Sequence, residues 1–61
     1  MDYRISIFTD KRTPEYEVKV SGQNSYPMLS PYNDSISILH DEGISYFRWS
    51  NISSILIEEI K

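Results

Sequence analysis

The sequence predicts an all-β domain, a small five-stranded sheet that is strongly bent or closed into a barrel, and three observations carry that expectation. First, nine Ile and two Val stand beside five Tyr, two Phe and one Trp, with three Leu and no Ala. Such β-branched and aromatic side chains fit a pleated, half-buried surface, and the strongest helix formers are scarce. Second, several stretches alternate apolar and polar residues with the period of two that a strand requires. Third, the chain has 61 residues and no Cys. A single domain of that length hides only about 60% of the surface its unfolded chain exposes. Disulfides and Cys-based zinc modules are excluded, so stability must come from tight packing or self-association.

The elements follow in order. Tyr3 to Thr9 alternates, with Tyr3, Ile5 and Ile7 on one face and Arg4, Ser6 and Phe8 on the other. Asp10 to Pro14 is a polar turn, because Pro14 presets φ and Asp10 can bond the backbone downstream. Glu15 to Val20 is a second strand that directs Tyr16, Val18 and Val20 inward and Glu15, Glu17 and Lys19 to water. From Ser21 to Asp34 the alternation stops at Gly22, Pro27 and Pro31, which predicts a long irregular loop with a short strand near Tyr26 to Leu29. Ser35 to His40 is a third strand with Ile36 and Ile38 inward. Asp41-Glu42-Gly43 closes a tight hairpin, with Gly43 in the left-handed region of a bulged three-residue loop. Ile44 to Trp49 returns with apolar residues on both faces, Ile44 and Tyr46 against Phe47 and Trp49, which implies burial on both sides. Ser50 to Ser53 makes one helical turn. Residues 52–60 can be read as helix or strand, and β-branching together with acids at the C-terminal end favours the strand, with Ile55 and Ile57 inward.

This order of elements, together with the single turn at Trp49-Ser50-Asn51-Ile52, resembles the small barrels of the Sm and Tudor kind along nearly the whole chain. Such barrels take RNA, DNA, peptides or one another, so the resemblance supplies no function. It does not select among them.

Charge narrows the choice. Nine acids against six bases leave a net charge of −3, and the bases Arg4, Lys11, Arg12, Lys19, Arg48 and Lys61 are dispersed. Nucleic-acid binding draws most of its affinity from Lys and Arg on phosphates, so this balance disfavours it. No apolar run exceeds three residues, and the first residues lack a signal peptide's apolar core, so the expectation is a cytoplasmic protein. Absent Ala with abundant Ile, Asn and Ser fits an AT-rich bacterial or phage genome.

No catalytic signature is present. His40, the sole histidine, lacks a placed nucleophile or further ligands and reads as a strand-end residue beside a turn. Asp41, Glu42, Glu58 and Glu59 lack the spaced oxygens of a calcium loop and read as solvated charges that protect strand edges. The ten Ser include no Gly-x-Ser-x-Gly elbow. The expectation is a protein that is not an enzyme and uses no cofactor or metal.

The aromatic set offers a binding surface. Tyr26, Met28, Leu29 and Tyr32 of the long loop, with Arg48 and Trp49, are the expected partner-binding residues, because Tyr, Trp and Arg dominate interface hot spots. The competing reading packs these residues in the core with hydroxyls at its rim. The leading expectation is a non-catalytic protein-binding or inhibitory module, a small bacterial or phage accessory protein. The alternatives are a nucleic-acid-binding barrel that stacks bases on Tyr32, Tyr46 or Trp49 with Arg4, Lys19 and Arg48 on phosphates, and a homo-oligomerising unit.

Overall fold

A computed structural model describes every residue except Met28. Six strands and one 3-10 turn follow along the chain: β1 (Asp2–Phe8), β2 (Tyr16–Val20), β3 (Ser30–Tyr32), β4 (Ser35–His40), β5 (Gly43–Arg48), the turn Trp49–Asn51, and β6 (Ser54–Ile60). They form two antiparallel sheets of three, ordered β2-β1-β6 and β3-β4-β5. The chain is therefore all-β, as composition and alternation predict. Among the described residues no strand pairing joins the two sheets, so the strands do not close into a single barrel. No helix is long and apolar enough to cross a membrane among the described residues.

The core lies between the sheets. β1 is the central strand of the first sheet and supplies Tyr3, Ile5 and Ile7, all at most 2% exposed, and β4 is central in the second and supplies Ile36 and Ile38. Val20 is buried with them, and Val18, Leu29, Phe47, Ile52, Ile55 and Ile57 pack around the cluster. Each fully buried Ile contributes about 2 kcal/mol by leaving water. The strand reading holds over Ser54–Ile60, with Ile55 opposite Ile7 and Ile57 opposite Ile5 on β1.

Four features differ from the sequence reading. The long loop is shorter than expected, because Ser30–Tyr32 pairs with β4 and Asn33-Asp34 forms a two-residue connection, with Asn33 at φ 54. Asn tolerates that left-handed conformation better than most residues. Second, the hairpin after β4 is closed by two residues, since His40 pairs directly with Gly43, and Gly43 opens β5 at φ 131. Third, β5 is not buried on both sides: Phe47 faces the core, whereas Ile44 and Tyr46 are exposed. Among the described residues nothing covers the outer face of that sheet. Fourth, Tyr16 shares the inward row of β2 but is 55% exposed. It sits at the end of an edge strand, where the Phe47 ring lies 5.3 Å away between centroids.

Backbone and side-chain bonds tie the two layers together at the hairpin tip and extend the β1-β6 pairing at the opposite end. At one end Asp41 N–H donates to Lys19 O (2.9 Å), and the Asp41 carboxylate accepts from Ser21 N–H (2.9 Å) and Ser21 Oγ. At the other, Ser53 N–H donates to Phe8 O (2.9 Å) and its hydroxyl bonds Phe8 O and Thr9 O.

Candidate functional site

In an antiparallel sheet, residues directly opposite one another share a face. The register therefore defines the outer surface of β3-β4-β5: Tyr32, Ser35 and Arg48 form one row, Ser30, Ser37 and Tyr46 the next, and Leu39 with Ile44 the last. Tyr32, Tyr46 and Leu39 are each 70% exposed or more, and Ile44 is 55% exposed. Four large apolar side chains thus stand on one face of one small sheet, with serines between them. Isolated exposed apolar residues need no explanation, but a contiguous group of them marks an interaction surface. Arg48 is the only charged residue in those rows.

The outer face of the other sheet is more charged, with Leu56 and Ile60 as its exposed apolar side chains. Lys19, Arg4 and Glu58 lie in one row and Glu17, Ser6 and Leu56 in the next. Arg4 pairs with Glu58 (3.2 Å) and Lys19 with Asp2 (3.7 Å). The cations there are already engaged.

The expected partner-binding residues are divided by the fold. Tyr32 and Arg48 flank Ser35 on the apolar face. Trp49 follows β5 at the same end, 41% exposed, its N–H bonded to Asp34 O (2.8 Å). Tyr26 lies elsewhere: its ring tilts against Tyr3, 4.8 Å between centroids, near the β2 end that meets the β4-β5 hairpin tip. β5 runs from that tip to Trp49, a rise of about 17 Å for a strand of this length. Leu29 packs against the core. Met28 lies outside the described residues.

Leu39 and Ile44 were not among the expected site residues, and Tyr46 entered only as a base-stacking candidate in the nucleic-acid alternative. The signal was available: Leu39 falls out of phase with Ile36 and Ile38, and a two-residue hairpin places it opposite Ile44.

His40 and Asp41 beside the hairpin tip are both engaged by neighbours. His40 Nδ1 accepts from Glu42 N–H (3.3 Å), and Nε2 lies 2.7 Å from Ser45 Oγ. The tautomer with its proton on Nε2 satisfies both contacts. The two Ser21 hydrogen bonds hold the Asp41 carboxyl below its ordinary value of 3.8, helped by Lys19 and His40. Burial raises the Tyr3 hydroxyl, and the nearby Glu59 and Tyr26 add to the effect. A shallow cleft of about 380 Å³ beside the hairpin tip is lined by Val20, Ser21, Pro27, Leu39, His40 and Asp41. Its polar side chains bond one another or nearby strand residues rather than pointing a free nucleophile into it. Asp41 and Glu58 do not meet, since one binds Ser21 beside β2 and the other binds Arg4 across β1. No three metal-ligating side chains converge among the described residues.

No protein-family profile matches the chain, and no curated protein or solved structure is detectably similar to it.

Proposed function

We propose that the chain is a non-catalytic protein-binding module that works through the outer face of β3-β4-β5. The observation that carries this reading is the exposed group Tyr32, Tyr46, Leu39 and Ile44 on that face. Rigid aromatic anchors on a sheet lose little conformational freedom on binding, and one Arg at the rim suits a carboxylate on the partner. The matching partner is therefore a protein surface with an apolar patch bordered by an acidic residue.

The order of elements also supports the finer reading of a small, open barrel of the Sm and Tudor kind. β1 pairs with both β2 and β6, a meander of three strands follows, and a single 3-10 turn precedes the last strand. On this reading β2 and β3 are two halves of one bent strand separated by residues 21–29.

A nucleic-acid partner is the weaker proposal. Base stacking on Tyr32 and Tyr46 requires cations alongside for the phosphates. Arg4 and Lys19 lie on the other sheet and are paired with Glu58 and Asp2, leaving Arg48 alone beside the aromatic residues.

The test is affinity capture from a lysate of the source organism with the wild-type chain and with a Tyr32→Ser, Leu39→Ser double variant. A partner retained by the wild type and lost by the variant is expected. Equal capture by both, or a shift of labelled RNA or DNA by micromolar protein at low salt, would sink the reading.

A further inference from the structure

Two three-stranded sheets leave four strand edges, and three of them are protected. β2 is fastened by the hairpin tip, through Asp41 N–H on Lys19 O and Ser21 on the Asp41 carboxylate. β3 has three residues with Pro31 in the middle. β6 carries the adjacent acids Glu58 and Glu59. Charges, prolines and short lengths are the usual means of blocking edge-to-edge pairing. β5 has none of them except one Arg at its end: Gly-Ile-Ser-Tyr-Phe-Arg. Among the described residues no backbone group outside β4 bonds it.

The ladder shows which backbone groups β5 leaves free. Trp49 N–H donates to Asp34 O, one step beyond the Ser35–Arg48 pair in the same register. Hydrogen-bonded and open rungs alternate in an antiparallel ladder. The bonded rungs are therefore Asp34 with Trp49, Ile36 with Phe47 and Ile38 with Ser45. Ile44, Tyr46 and Arg48 belong to the open rungs, so their N–H and C=O groups point away from β4. Their side chains are also the ones on the exposed outer face.

From this we infer that β5 pairs antiparallel with β5 of a second copy, with Tyr46 on the two-fold axis. In that register Tyr46 meets the second copy's Tyr46, and Ile44 meets its Arg48. All three rungs use the free backbone groups, and the two sheets join into one of six strands. Charge favours the arrangement. Neither Arg48 nor Glu42 forms an ion pair within the described residues of one chain. Antiparallel pairing brings Arg48 of each copy beside the turn that carries Glu42 of the other, within reach of a long side chain. No like charges stand opposite. A two-fold contact of this kind is self-complementary and closes on itself. The contact is small, so the dimer belongs to the weak, transient class.

Sedimentation of the full chain from about 1 μM to about 1 mM tests the pairing across that range. A concentration-dependent monomer–dimer equilibrium is expected; a monomer throughout would overturn the inference. Tyr46 is 72% exposed, so substitutions there remove no core contact. Tyr46→Lys opposes Lys to Lys across the axis and Tyr46→Glu opposes Glu to Glu, so each variant alone should dimerise about tenfold more weakly. An equimolar mixture should recover the dimer. Self-association of either variant at wild-type strength, or failure of the folded mixture, would refute the Tyr46 axis. Amide exchange on the wild-type chain needs no variant: protection of the Ile44, Tyr46 and Arg48 amides should rise with concentration while Ser45 and Phe47 stay constant. The reverse pattern would also overturn it.

Discussion

The two sheets share one core and present different outer faces, one mostly charged with Leu56 and Ile60 exposed on it, the other mostly apolar. On β2-β1-β6, Arg4, Lys19, Glu17 and Glu58 form a hydrated surface laced by two ion pairs. On β3-β4-β5, Tyr32, Tyr46, Leu39 and Ile44 stand where a solvent-facing sheet would ordinarily carry polar residues. Both inner faces obey the same rule, with Ile at the central positions of β1 and β4. The contrast teaches that the apolar outer face is a local departure rather than a consequence of a generally apolar chain, since only 39% of its residues are hydrophobic.

The largest expected effect separates inside from outside. Ile5 is fully buried on β1 and Ile44 is 55% exposed on β5. Ile5→Ala should cost about 2–5 kcal/mol, a large part of the stability of any domain this small. Ile44→Ala should change stability by no more than about 0.5 kcal/mol. Urea unfolding of both variants checks the difference, and a comparable loss in the two would show that the outer face is part of the folding core.

A smaller effect is expected where the second sheet turns. Gly43 sits at φ 131 with open space where a Cβ would go. Gly43→Ala should therefore cost about 1 kcal/mol from backbone strain alone, without a steric clash. Its urea midpoint should fall while the slope of the transition stays that of the wild type. A neutral substitution would mean that the hairpin tolerates another turn geometry.

The smallest effect concerns the bond between the sheets. The Asp41 carboxyl is held below its ordinary value by Ser21, so the folded state binds that proton less readily than the unfolded one. The stabilisation is present above the ordinary value of 3.8 and is lost as pH falls through the depressed folded value. Asp41→Asn should flatten that acid limb and leave the pH dependence above about 6 unchanged. Thermal melts of both proteins from neutral to strongly acidic pH provide the measurement. An unaltered acid limb in the variant would remove Asp41 from the joint between the sheets.

Much of this architecture was legible in residues alone. Tyr3, Ile5 and Ile7, Ile36 and Ile38, and Ile55 and Ile57 all occupy the inward rows that alternation assigns them. β3 was hidden because three residues that include a proline carry no period of two, and only pairing with β4 defines them as a strand. Of the expected binding residues, Tyr32 and Arg48 share a face, and Trp49 lies at the same end. Tyr26 could not be separated from them in sequence, because its packing on Tyr3 depends on where residues 21–29 return to β1.

The sequence by itself determined the class and the inner faces, because side-chain alternation along a strand is a local property and β-branched residues express it directly. Only the tertiary structure decided which apolar residues go uncovered. Ile44 and Phe47 are equally apolar and belong to the same strand, and their fates differ because one side of β3-β4-β5 meets β1 and its neighbours while the other meets water. That is a matter of how many layers the chain can build. The described residues build two, and the second sheet's outer face and the edge of β5 are left exposed.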